Sequence, residues 1–120
     1  FGSAVDIQGN LTVDGDGRFT GDVITNYSIS DIRLKENIEP IDNALEKVNE
    51  VGGYTFNYIE RPDERVSGVI AQEIEKILPG VVYEVNEQGY KGVRYDNIIP
   101  LLIQAIKELS DKVEKLESKN

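Results

Sequence analysis

Two residue types that usually supply acid–base and nucleophilic chemistry are missing from this sequence, which has neither histidine nor cysteine. Without histidine the usual general base and the commonest metal ligand are gone. Without cysteine there is no disulfide, thiolate metal site or thiol nucleophile. A nucleophile must therefore be a serine or threonine hydroxyl, activated by a lysine or a carboxylate. The segment Ser30-Asp31-Ile32-Arg33-Leu34-Lys35-Glu36-Asn37-Ile38 brings such groups close together in the chain. Ser30 and Lys35 are five residues apart, so a turn between them would carry the ammonium to the hydroxyl. A lysine acting as base must be neutral, whereas a free one titrates near pH 10.4. Burial or a neighbouring cation has to lower that value, and Arg33 is the candidate neighbour. Backbone N–H groups around Asp31 to Arg33 are candidates for oxyanion donors. Spacing by itself does not separate this pair from two ordinary surface residues.

The remaining polar groups point to less. Asp14-Gly15-Asp16-Gly17 begins like a calcium loop, but Arg18 falls where a third acidic ligand belongs and the closing glutamate is missing, so a plain turn is expected and no metal. Gln72 and Glu73 follow an expected strand; they would orient Lys35 or hold copies together, or simply favour a helix N-terminus by charge. Tyr54, Phe56, Tyr58, Tyr83, Tyr90 and Tyr95 are expected as core and interface material. A formal charge of -9, with no basic stripe among the aromatics, argues against a nucleic-acid partner. No apolar run approaches the roughly 20 residues needed to cross a bilayer, and nothing at the start reads as a signal peptide. The opening Phe1-Gly2 is what a piece of a longer chain would show.

The elements that must position these groups fall into three zones within 120 residues, a length with room for one modest core. Residues 1–29 are short alternating apolar pairs (Val5 and Ile7, Leu11 and Val13, then Phe19, Val23 and Ile24) punctuated by Gly9-Asn10 and Asp14 to Gly17. That pattern predicts strands of three to five residues joined by tight turns. It holds too few apolar side chains to offset its chain entropy, and should be ordered only by pairing with other copies or a larger scaffold. Residues 30–96 read as a compact α+β unit. A helix is expected where Ile41, Leu45 and Val48 share a face, with Pro40 near its start and Gly52-Gly53 stopping it. A strand over Tyr54–Tyr58, a buried strand over Val66–Ala71 and a helix over Gln72–Leu78 ended by Pro79-Gly80 follow. Val81–Val85 and Tyr90–Tyr95 form a hairpin around Asn86 to Gly89. Residues 97–120 predict a long helix with Pro100 in its first turn. Ile99, Leu102, Ile106, Leu109, Val113 and Leu116 are spaced as a heptad seam. Beyond Leu109 the other faces are polar, so this half should pack against copies of itself; an amphipathic helix capping its own domain is the alternative.

The block Ser30-Asp31-x-Arg33-Leu34-Lys35-x-Asn37-Ile38 resembles the opening of the intramolecular chaperone domain of phage endosialidases, tail fibres and neck appendages, peptidase family S74. The resemblance continues through Gly68-Val69-Ile70-Ala71-Gln72-Glu73, Val93-Arg94-Tyr95-Asp96 and Ile99-Pro100-Leu101-Leu102-Ile103-Gln104-Ala105-Ile106-Lys107-Glu108-Leu109, in the family's order. It covers residues 30 to about 118, and residues 1–29 resemble the glycine-punctuated β stalk that precedes this domain.

The resemblance implies an α+β fold: a small mixed domain (30–120) with a long C-terminal coiled-coil helix (97–120), preceded by a β-structured stalk remnant (1–29) and assembled as a homotrimer. It implies a chaperone that directs folding of the upstream fibre portion of the same chain into a triple β-helix, then cuts itself off between Ile29 and Ser30. Ser30 is then the nucleophile and Lys35 the base, with Asp31, Arg33, Asn37, Gln72 and Glu73 as supporting candidates and no cofactor. The setting is a virion tail-fibre or tailspike precursor made in the bacterial host cytoplasm, its chaperone part released after cleavage. Ile29 is β-branched and crowds its own carbonyl, and Ser28 lies two residues before Ser30, so the register of the cut rests on the motif. Ile and Val alternating with Leu along a seam favours two strands in isolated coiled coils; the stalk and the domain would add the contacts that favour three. The competing function is a non-cleaving structural tip of a fibre or adhesin, with Ser30 and Lys35 inert. A third is the related module of membrane-tethered transcription regulators, against which the glycine-rich β segment argues.

Overall fold

The structure is a computed structural model that describes residues 4–25 and 28–119. It divides into two units, Phe1–Asn37 and Ile38–Asn120.

In the first unit, residues 4–25 carry neither helix nor strand. Gly9 and Gly15 adopt φ of +116° and +107°, so the expected turns sit where the glycines allow left-handed backbone. The expected strands between them do not form in one copy. Val5, Leu11, Phe19 and Ile24 are all exposed. A strand needs a neighbour for its N–H and C=O groups, and the single chain supplies none here. The opening Phe1-Gly2 lies outside the described residues. The regular element of this unit is a 3₁₀ turn, Ile32–Leu34.

The second unit is mixed α and β. Its elements run α1 (Ala44–Asn49), β1 (Tyr54–Phe56), β2 (Val66–Gly68), α2 (Ala71–Ile77), β3 (Val82–Glu84), β4 (Lys91–Val93) and α3 (Ile99–Ser118). The strands make two antiparallel hairpins. Tyr54, Thr55 and Phe56 pair with Gly68, Ser67 and Val66; Val82, Tyr83 and Glu84 pair with Val93, Gly92 and Lys91. The second hairpin turns through Asn86, whose side-chain oxygen accepts from the Tyr90 N–H, and Gly89 at φ +78°. A salt bridge from Lys91 to Glu75 ties β4 to α2. Gly68 is required by contact: a Cβ there would meet the Tyr95 hydroxyl at 2.6 Å. That hydroxyl accepts the Val69 N–H.

Most elements are shorter than their sequence patterns; α2 keeps its length and begins one residue earlier. The helix expected from Ile41 begins at Ala44, because Asn43 is left-handed at φ 48°. The strand expected over Val66–Ala71 stops at Gly68, and Ile70 turns into α2. None of the six strand-associated aromatics is buried; Phe56 is half-buried and the five tyrosines are exposed. Two-stranded sheets this short have no second layer to cover them.

The core lies between α1, the end of α2 and the first half of α3. Ala44, Ile77, Leu101 and Ala105 are buried together, flanked by Ile41, Leu45, Val48, Val51 and Leu78. Ala44 and Ala105 are small enough to let the two helices approach closely. At six residues, α1 is far too short to persist by itself. Its N-terminus is capped from 64 residues away: Glu108 of α3 accepts the Ala44 N–H at 2.9 Å and the Leu45 N–H at 3.1 Å. One carboxylate thereby satisfies two orphan donors and opposes the positive end of the helix.

The outward side of α3 is apolar. Ile99, Leu102, Ile106, Leu109, Val113 and Leu116 are 43% to 65% exposed in the single chain. The expected seam is therefore a continuous uncovered stripe that α1 does not occupy. In urea unfolding of the dilute single chain, Leu101→Ala, which empties a site only 1% exposed, should cost about 2–5 kcal/mol. Leu116→Ala should change it by less than about 0.5 kcal/mol. Equal costs would place the core elsewhere.

Candidate active site

The chemistry-bearing segment is built by a single tight turn. The Leu34 N–H bonds to the Asp31 carbonyl and the Lys35 N–H to the Ile32 carbonyl, both at 3.1 Å. These i→i+3 bonds wind residues 31–35 more tightly than an α-helix would. Asp31 is the N-cap, and its Oδ1 accepts the Arg33 N–H at 2.8 Å. The turn folds Lys35 back onto Ser30, and Nζ donates to Oγ at 2.6 Å. A pair five residues apart thus meets as hydroxyl and amine in one hydrogen bond. Both side chains are exposed in the single chain.

The supporting residues take definite places. The Arg33 guanidinium grips Asp31 with Nε on Oδ1 at 3.1 Å and a terminal nitrogen on Oδ2 at 2.9 Å. Its charge, expected to act on Lys35, is thus matched by a carboxylate two residues away. The same guanidinium, and then the Arg33 N–H, holds the Asp31 carboxyl below the usual aspartate range. The pairing raises Arg33 in turn. Because the Arg33 N–H is taken by Asp31, it is removed from the candidate oxyanion donors. Asn37 sits at φ 53°, a left-handed conformation that asparagine tolerates better than most residues, and bends the chain near the end of the motif.

Glu73 and Gln72 belong to the first turn of α2 in the second unit. The Glu73 carboxylate accepts the Gly52 N–H at 3.0 Å and the Tyr54 hydroxyl at 2.8 Å. It fastens the α1–β1 connection to α2 and, by accepting from the phenol, raises the Tyr54 pKa. Gln72 is exposed and lines a shallow cavity of about 350 Å³ with Phe56, Tyr58, Val69 and Tyr95.

Sequence reasoning missed Glu108, placed simply on the polar side of the last helix. Its spacing, seven after Leu101 and three after Ala105, places it on the buried face of α3, but that Asn43 makes no side-chain cap is visible only in the structure.

Residues 30–83 match the Peptidase S74 family, described as chaperone of endosialidase. The chain is 40% identical over 100 residues to long tail fiber protein Gp37 of Enterobacteria phage K3, an alignment covering 78% of this chain and 8% of that protein. It is 36% identical over 119 residues to long tail fiber protein Gp37 of Enterobacteria phage Ox2, covering 92% and 46%. It is 26% identical over 113 residues to Myelin gene regulatory factor-like A of Dictyostelium discoideum, covering 78% and 12%. The chain therefore spans less than half the length of these relatives.

The Asp31–Arg33 pairing has a pH signature. A depressed carboxyl pKa means that its contribution to the turn is present above the unfolded value of about 3.9 and is lost as pH falls through the lower folded value. Carboxyl NMR should find Asp31 titrating below a free aspartate, and Arg33→Ala should move it upward. An identical titration in both proteins would refute the pairing.

Proposed function

This chain belongs, through residues 30–83, to the endosialidase-chaperone family, and on that premise we propose that it is a trimerising folding module of a phage tail fibre that releases itself by one self-cleavage between Ile29 and Ser30. The observation that carries the reading is the 2.6 Å contact of Lys35 Nζ with Ser30 Oγ, at the residue where the family match begins.

The chemistry runs in cis. With Lys35 neutral, its amine takes the Ser30 hydroxyl proton as Oγ attacks the Ile29 carbonyl carbon. The Ile29–Ser30 C–N bond breaks as the Ser30 nitrogen receives that proton, leaving Ile29 esterified to Ser30 Oγ. Water then hydrolyses the ester, giving an Ile29 carboxylate, a free Ser30 hydroxyl and a new amino terminus. Only a neutral amine can take the hydroxyl proton, so this chemistry calls for surroundings that favour the neutral form. Ile29, Ile32 and Leu34, each more than 70% exposed, surround the pair in sequence. Their burial on assembly of three copies would dry it. Cleavage is then a report that the chains have come together correctly.

The seam on α3 is the surface by which copies join, and the upstream fibre portion is the part whose folding is directed. The site of action is the tail-fibre precursor in the host cytoplasm, with release of the chaperone part afterwards.

Denaturing gels of the purified protein test the enzymatic half. The parent should give two fragments, with a new amino terminus at Ser30. Ser30→Ala and Lys35→Ala should each give one intact band, while Ser28→Ala should cleave like the parent. A monomeric variant carrying charged seam residues (Leu109→Glu, Val113→Glu) should lose most of the rate. An uncut parent that still trimerises would leave the non-cleaving structural tip as the function.

A further inference from the structure

We propose that Glu108 is a positioning residue for self-association, setting which side of α3 faces other copies; this rests on the reading that the heptad seam joins copies of the chain. Helix α3 carries two working faces. Leu101 and Ala105 point into the core, and Glu108 continues that line onto the amides of α1. The uncovered stripe through Ile106 and Leu109 lies about a third of a turn away, at 3.6 residues per turn. A rotation of α3 by one residue would replace Ile106 and Leu109 on the outward side with Lys107 and Ser110.

Packing alone holds that rotation weakly. The buried cluster that the two helices share includes Ala44 of α1 and Ala105 of α3, and methyl groups give little resistance to turning. Further along, a groove of about 770 Å³ opens between the helices, lined by Leu45, Asn49, Asp111 and Lys112 as well as Glu108. Leu101 is the large side chain that α3 buries completely, and it acts at the far end. The two bonds from Glu108 to successive amides are directional and charge-assisted, with both carboxylate oxygens engaged. They are met at one setting of α3 about its axis. They also sit between Ile106 and Leu109, so the lock and the seam share one helical turn.

The absence of cysteine makes the test clean. Single cysteines are placed at the seam (Leu109→Cys) or off it (Lys107→Cys), and the associated protein is treated with a short bis-maleimide. With Glu108 present, seam cross-linking should exceed off-seam cross-linking by about tenfold, the preference a cap of this strength supports. With Glu108→Ala the ratio should fall towards unity, and amide exchange at Ala44 and Leu45 should quicken about tenfold. Glu108→Gln, which keeps the length and one acceptor, should restore part of both and guards against a variant that merely fails to fold. An unchanged ratio alongside fast exchange would make Glu108 a cap and nothing more, overturning the proposal. No seam cross-linking even with Glu108 present would sink the seam reading itself, and this inference with it.

Discussion

The second unit depends on a six-residue helix that cannot begin by itself. Asn43, just ahead of it, is left-handed and makes no side-chain cap. The first turn of α1 therefore presents bare N–H groups to whatever comes near, and a carboxylate from α3 meets two of them. Once that join exists, Ala44 and Ala105 are brought together, Leu101 has a floor and Ile77 of α2 closes the cluster. Remove it and the core loses the alignment of its two principal helices. The contact is non-local, so its loop-closure entropy must be met before it stabilises anything.

The same helix explains why so much apolar surface stays uncovered. Its inner face is used up by about residue 108, yet it continues to Ser118. Along that extension Val113 and Leu116 touch no core of their own chain, and both remain exposed. A lone helix arm with an apolar stripe is unfavourable in water unless something covers it. The first unit has the same character: Val5, Leu11, Phe19, Ile29 and Leu34 are all exposed. Apolar surface at both ends of one small chain is the physical counterpart of its kinship with proteins named as tail fibres.

Much of this was legible in the sequence because it is local. The 3.6-residue period marked α2 and α3, and Pro79-Gly80 and Pro100 marked their limits. Asn86 to Gly89 marked the second hairpin. The meeting of Ser30 and Lys35 was legible for the same reason, since a turn over five residues is a short-range event that Asp31 is well suited to start. What could not be read were long-range agreements. Glu73 reaching Gly52 and Tyr54, and Glu108 reaching α1, look in the sequence like any acids on a helix. The start of α1 was misplaced because Ile41 fits the helical period while Asn43 breaks the backbone, and periodicity does not register a single left-handed residue. The strands expected over residues 1–29 are absent among the described residues 4–25, since pairing is a property of several strands rather than of one.

The exposure of the Ser30–Lys35 pair follows from the same division between local and long-range. A tight turn suffices to bring an amine to a hydroxyl, and that needs no partner. Arg33, the nearby cation, has its charge already answered by Asp31. The geometry of the pair is thus set within one chain by one short turn. If the pair acts as proposed, an isolated copy holds the amine on the hydroxyl without the burial that the chemistry asks for. Under the proposed assembly, association through α3 would bury apolar surface and supply the term that the turn cannot.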